Sequence, residues 1–345
     1  MPIPLSRRLL AALCAASLVL PAAPLRAQHN LPALGDAATE DFGVVTERRV
    51  GEQIMREVRR DADYLDDPLL LEYVQAIWSP LVAQARANGN ITAEIETRFS
   101  WEAFLVRDRS VNAFALPGGY VGVHLGLIAL TGSRDELAAV LAHELSHVTQ
   151  RHIARGITNS KRQSLIGLAA MIIGVIAASR ANSTDGVAAV VTGGQAASIQ
   201  GQLNFSRDME READRIGFAV LTGAGFSPGG MAAMFEKLDQ SSRLNDSGGY
   251  PYLRSHPLTT ERIGEARARM GTATARAAPG PGGTGFEHAL AQARSRVLMD
   301  TRVDALRRWQ ALDATRPDLT TAQRLSDAYS SALASILLRD ADRAD

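Results

Sequence analysis

Two histidines four residues apart, His143 and His147 in HELSH, with Glu144 beside the first, are the residues of this chain best suited to chemistry. A helix advances about 100° per residue, so both imidazoles leave one face and can reach a single ion, and neutral imidazole nitrogens suit Zn2+. Glu144 projects next to that face. A carboxylate there can take a proton from an attacking water polarised by the metal, the general-base role. H-E-x-x-H alone arises by chance in roughly one chain in a hundred of this length, so the reading also needs a helical setting and a third ligand. Glu210 and Asp214, four apart in SRDMEREADRIGFAVLTG, flank an apolar stripe of Met209, Ala213, Ile216 and Val220. Glu212 falls with Arg211 and Arg215 on the solvent side. Glu210 is therefore the candidate third ligand of a His2Glu set that leaves the fourth position to water. Asp214 is the candidate partner for the far N–H of a ligand histidine, fixing its tautomer.

Stepping outward, the spacing predicts one helix over 133–156. Ser133 and Glu136 form a capping box, Gly156 supplies the stop, and Leu137, Leu141, Leu145 and Val148 pack inward. Ser206 caps the helix that bears Glu210 and Asp214, which runs to Gly223. Residues 111–125, VNAFALPGGYVGVHL, read as a hairpin with Pro117 and Gly118 at the central positions of a type II turn. Asn112, Ala113, Phe114 and Ala115 then form an edge strand just ahead of the histidine helix. An extended peptide can pair with such an edge, although a plain hairpin with one face in the core fits the pattern equally. His124 reads as a packing histidine and not a ligand. Residues 47–59 and 68–86 read as amphipathic helices, residues 91–106 as strands, and residues 31–46 as extended. Ser227 and Pro228 open a helix to about Gln240, and a loop over 244–257 ends in Arg254-Ser255-His256-Pro257, where Pro257 biases His256 toward extended backbone.

The first 27 residues combine Arg7 and Arg8, an apolar run over 9–20 and small residues ending at Ala27. That is the pattern of a secretory signal peptide cleaved near Ala27, with a retained anchor as the competing reading. Its removal takes away Cys14, the only cysteine, and three arginines, shifting a balance of 37 basic and 37 acidic residues to a net −3. No disulfide framework is available, and a generally basic nucleic-acid binder is excluded. The remaining length suits one domain with a good core plus a small appendage. Residues 164–179 and 187–199 read as a buried helix hairpin too short to span a bilayer comfortably, with a peripheral membrane contact through Leu165 to Ala178 left open. Residues 271–285 have linker composition. Residues 286–345 return to helix, either docking on the rest of the chain or pairing with a partner, and His288 there reads as a surface residue.

HELSH, followed some sixty residues on by Glu210, Ala213 and Asp214 in the order E-x-x-A-D, with NAFALPGG before it and SHPLTTERI after it, resembles the M48 family of zinc metallopeptidases. Within that family the chain is most similar to the periplasmic β-barrel assembly-enhancing group, through SRDMEREADRIG and the leader. The resemblance implies a mainly helical α+β fold, a zincin-type metallopeptidase domain over 28–270 with a small sheet carrying an edge strand. It implies one zinc on His143, His147 and Glu210, Glu144 as catalytic base, and polypeptide substrates among misfolded or stalled envelope proteins. It also places His256 near the zinc, either donating to the oxyanion of the tetrahedral intermediate or acting as a fourth ligand that keeps the enzyme latent; a histidine merely placed by the turn is the bland alternative. Members of the similar group carry tetratricopeptide repeats after this domain. Here there is room for little more than one unit, so contact with outer-membrane assembly machinery would rest on a short helical segment.

Overall fold

The computed structural model describes residues 42–159, 207–244, 250–273, 285–312 and 317–343. The expected leader, the Ser206 cap and the stretch containing Leu165 to Ala178 lie outside these. Among the described residues no helix is long and apolar enough to cross a membrane.

One helix, α5 (Arg134–Thr149), is buried along every residue from Glu136 to Thr149. It is therefore not an amphipathic surface helix but the axis around which the others pack. Ser133 caps it, its Oγ accepting from the Glu136 N–H at 3.2 Å. The carboxylate of Glu136 reaches past the cap to the Gly132 N–H at 2.6 Å and to Lys237 Nζ at 2.6 Å, so the reciprocal half of the expected capping box is replaced by an ion pair. The helix also ends earlier than its sequence suggests. Arg151 sits at φ 52, in the left-handed region, and a separate helix α6 (His152–Asn159) follows, with Gly156 inside it. That backbone costs a non-glycine residue energy. It is held because the Arg151 guanidinium donates to Glu47 Oε2 at 2.8 Å and to the Phe42 carbonyl at 2.7 Å.

Before α5 come α1 (Val44–Val58), which starts inside the stretch expected to be extended, and α2 (Pro68–Ala87), whose N-cap Asp67 accepts from the Leu70 N–H at 3.0 Å. The strands expected across 91–106 are only half present. Ala93–Arg98 forms a one-and-a-half-turn helix, α3, with Glu94 and Glu96 in its first turn and Arg98 in its last, the polarity that suits a helix dipole. A single inward residue, Ile95, holds it. The sheet comprises β1 (Tyr64–Leu65), β2 (Glu102–Val106), β3 (Ala113–Leu116) and β4 (Tyr120–His124), in the order β1-β2-β4-β3. β2 and β4 run parallel, whereas β3 and β4 form an antiparallel hairpin with Ala113 opposite Val123 and Leu116 opposite Tyr120. Gly118 lies at φ 80, as the type II turn requires, and Gly119 at φ 91, where a Cβ would come 2.8 Å from the Phe99 Cβ. β3 is thus an edge strand, and it lies against α5. His124 is buried, its Nδ1 2.9 Å from Ser110 Oγ, so it is a satisfied core residue.

α4 (Leu125–Leu130) leads from the sheet into α5. After it come α7 (Arg207–Gly223), α8 (Gly229–Leu244), a short α9 (Pro251–Ser255) inside the stretch expected to be loop, and α10 (Thr260–Ala273), which runs on into the expected linker. The remaining α-helices are α11 (Gly285–Leu298), α12 (Val303–Gln310) and α13 (Thr321–Leu338), followed by a 3-10 turn at Ala341–Arg343. α11 packs on α4 and α2. His288, expected at the surface, is buried at that contact, its Nε2 donating to the Thr131 carbonyl at 2.8 Å and its Nδ1 accepting from the Tyr73 hydroxyl at 2.6 Å. Arg294 grips the α2 cap, Asp67, through two bonds of 2.8 and 2.7 Å.

Two outcomes follow from these contacts. Arg294→Ala removes a charged two-point bond from the partly buried Asp67 and should lower the unfolding free energy by about 2 kcal/mol in urea titration, an unchanged midpoint arguing against anchoring of α11 there. Burial pulls the His124 imidazole down to about 4, below its unfolded value of about 6.5. The folded state therefore binds fewer protons in that window, and stability that is complete above about pH 6.5 falls as pH drops to about 4, by roughly 3 kcal/mol from this residue. Comparing urea midpoints at both ends of the window in wild type and His124→Gln isolates that contribution, which the variant should lack.

Candidate metal centre

α5 and α7 cross closely at the ligand positions because Gly217 of α7 has no side chain; a Cβ there would lie 3.1 Å from the Ala142 carbonyl oxygen and 3.2 Å from the His143 Cα. This apposition brings His143, His147, Glu210 and His256 together, with one donor atom from each within 4.8 Å of all the others. His143 Nε2 stands 2.9 Å from His147 Nε2, 3.5 Å from Glu210 Oε2 and 3.3 Å from His256 Nδ1. Glu210 Oε1 is 3.4 Å from His147 Nε2 and 3.0 Å from His256 Nδ1. His256 comes in from the turn after α9, with φ −122 and ψ 77, outside the helical region that Pro257 disfavours. The sequence signals therefore converge in space: all three expected ligands meet, and His256 joins them.

The donors fit a divalent ion. Four atoms at tetrahedral corners around Zn2+, with bonds of about 2.0 to 2.1 Å, are about 3.3 Å apart, and the observed separations scatter about that value. Charge agrees. Glu144, Glu210 and Asp214 are all buried, and one buried guanidinium, Arg262, faces the last two of them. Three carboxylates against one cation leave a deficit that a divalent metal would balance, in a place where unpaired charge is expensive. Without the metal, burial works against a charge on His143, but Asp214 and Glu210 outweigh it and lift the imidazole to about 9, a sign of how negative the site is. Burial and the neighbouring His143 push His147 the other way, well below its usual range. Burial would raise Glu210, yet the facing histidines hold its carboxyl far below the usual range.

Around the donors, His143 Nδ1 lies 2.9 Å from Asp214 Oδ1, the placement expected for an orienting carboxylate. Arg262 on α10 then binds Asp214 at 2.7 and 2.8 Å and Glu210 at 2.8 Å. Glu144 is fully buried, and neither carboxylate oxygen has a hydrogen-bond partner among the described residues. Burial pushes its carboxyl upward. Its Oε1 is 3.5 Å from His256 Nε2, and the Ala115 amide of β3 leans toward it without closing a hydrogen bond. A buried carboxylate with a raised affinity for protons suits a general base that accepts one from a reacting water.

Sequence reasoning missed three participants. Arg262 was inside SHPLTTERI but had no partner until α10 folded back on α7. His152 and Glu212 were missed because an unbroken helix would turn position 152 away, and because Glu212 was assigned to solvent. Instead Glu212 Oε2 lies 3.0 Å from His152 Nε2 and 2.8 Å from Arg155 Nη1. The break at Arg151 is the physical reason for both corrections. Replacing Asp214 by Asn removes the charged acceptor behind His143 and should weaken zinc binding 10- to 100-fold in competition with a chromophoric chelator. Affinity equal to wild type would show that Asp214 does not support that histidine.

Comparison with known proteins agrees with this geometry. The chain is 35% identical over 267 residues to a β-barrel assembly-enhancing protease of Escherichia coli, covering 77% of this chain and 52% of that protein. It is 36% identical over 245 residues to a protein of the same name in Yersinia pestis, covering 71% and 48%. It is 29% identical over 220 residues to a mitochondrial metalloendopeptidase of Saccharomyces cerevisiae, covering 61% and 58%. The chain spans about half the length of these relatives. The model of peptidase family M48 matches residues 72–270, a stretch holding HELSH, Glu210, Asp214, His256 and Arg262, and this chain belongs to that family.

Proposed function

We propose that the chain is a zinc-dependent endopeptidase, exported to the periplasm, that cleaves misfolded or stalled envelope (outer-membrane) proteins. The observation that carries the reading is the meeting of His143, His147 and Glu210 beside the buried carboxylate of Glu144, whose oxygens have no hydrogen bond among the described residues. A zinc ion held by those three residues would act as a Lewis acid on the scissile carbonyl and on the attacking water. Glu144 takes the water proton and passes it to the leaving nitrogen as the C–N bond breaks; burial, which raises its affinity for protons, favours the first of these transfers. The substrate is placed by β3. His124 N–H donates to the Asn112 carbonyl at 3.1 Å, so by antiparallel alternation Phe114 also faces β4, while Ala113 and Ala115 turn their amides and carbonyls to the open edge. A peptide pairing there lies next to Glu144 in extended form, which selects unfolded segments over folded ones.

The envelope setting draws on the names of the bacterial relatives and on the leader pattern of residues 1–27. The helices α11 to α13, with Val303 and Ile336 exposed, are the surface we assign to outer-membrane assembly machinery. A second reading, a chaperone or scaffold for outer-membrane assembly with a largely latent zinc site, is favoured by one observation: His256 Nδ1 stands inside the donor set, where it would fill the corner needed by water.

Glu144→Gln should retain bound zinc and lose at least about 100-fold in casein cleavage, the size of a general-base contribution. A variant that keeps its biological function without cleavage would favour the scaffold. His256→Ala should raise cleavage several-fold if the ring occupies the water corner. A fall in kcat would assign it to the oxyanion instead.

A further inference from the structure

The two ligand histidines are backed differently. His143 rests directly on the carboxylate of Asp214, but the outer nitrogen of His147 meets another imidazole: its Nδ1 lies 2.8 Å from His152 Nδ1. His152 is fully buried, and its other nitrogen faces Glu212 Oε2 at 3.0 Å. Glu212 is partly exposed and is itself held by Arg155.

We propose that His152 is a positioning residue for His147, the middle member of a His147–His152–Glu212 hydrogen-bond relay that fixes how the second histidine presents itself to the metal. The inference rests on reading His147 as a ligand through Nε2. The proton placement then follows from counting. A ligating Nε2 carries no proton, so the neutral ring of His147 is protonated at Nδ1 and donates. His152 Nδ1 must accept, which puts the proton of that ring on Nε2. Glu212, an acceptor only, receives it, and the Arg155 guanidinium balances its charge.

The backbone is built for this contact. In a continuous helix, five residues rotate position 152 by about 140° from His147, onto a different face. The left-handed Arg151 breaks α5 from α6 and returns the ring to the ligand. Arg151 is tied at both ends of its guanidinium to α1 and the segment before it.

The test uses the full chain and Zn2+ itself. His152→Phe keeps an aromatic ring but no acceptor, and zinc affinity in chelator competition should drop 10- to 100-fold. His152→Asn, whose Oδ1 can stand where Nδ1 stood, should recover most of the loss, which a purely space-filling role would not produce. Imidazole nitrogen NMR of the zinc-loaded wild type should show His147 protonated at Nδ1 and His152 at Nε2. Should His152→Phe not fold, Glu212→Gln replaces it: a weakening of several-fold together with loss of the single His152 tautomer is expected, because an amide can donate as well as accept. Wild-type zinc affinity in His152→Phe, or in Glu212→Gln where the former does not fold, or a His152 proton on Nδ1, overturns the relay. Wild-type protein that binds no zinc, or a His147→Phe variant that binds it as tightly as wild type, overturns the ligand assignment itself and is distinguishable because it appears without any change at position 152.

Discussion

Negative charge without water is the constraint on which this structure turns. Glu144, Glu210 and Asp214 are buried within one small volume, and Arg262 is the guanidinium that faces two of them. Removing carboxylates from water costs several kcal/mol each unless they are paired and hydrogen-bonded. The fold tolerates two of them because Arg262 and the facing imidazoles supply opposite charge or nitrogen donors to Glu210 and Asp214, whereas Glu144 has, among the described residues, only His256 at 3.5 Å. Gly217 permits the approach of α5 and α7, and Arg262 joins both carboxylates of α7 to the turn that carries His256, also donating to the Pro257 carbonyl at 2.9 Å. The same charge imbalance that burdens the folded chain is what would draw a divalent cation in, so the destabilising feature and the binding site are one feature.

Rigid support surrounds that centre unevenly. Asp214 and Arg262 hold His143 through a fully buried network. His147 depends on α6, whose orientation comes from a strained residue anchored by Glu47. Glu47 is itself buried, and burial raises its carboxyl to about 7 against the pull of Arg151. A chain of contacts therefore runs from α1 through Arg151 and His152 to His147. On the opposite side, the turn with Gly118 and Gly119 is tied back to the start of β2 by the Ser100 and Glu102 amides, which fixes the hairpin whose outer strand passes Glu144.

The C-terminal helices belong to this support. α11 caps the α2 end through Arg294 and Asp67 and closes over Thr131, immediately before the Ser133 cap of α5. His288 is placed there in a single neutral tautomer, donating at one nitrogen and accepting at the other. What looked like an appendage is packed against the elements that lead into the central helix.

Local spacing alone determined the chemistry: two histidines one helical turn apart, a glutamate between them, and a carboxylate pair on a second amphipathic helix are statements about faces, and faces follow from 3.6 residues per turn. The hairpin was equally legible, since Pro117 and Gly118 encode their own backbone angles. Tertiary structure decided everything that depends on what lies across a gap. Whether the helix continued past Gln150 turned on Arg151 finding Glu47, which is 104 residues away. Whether Glu212 met solvent turned on where α6 pointed, and whether His288 was exposed turned on α11 landing on Tyr73 and Thr131. The strands expected before β2 failed for the same reason, because Ile95 could be buried by either a helix or a strand. Periodicity reports which residues want to be buried, and only the packed chain says against what.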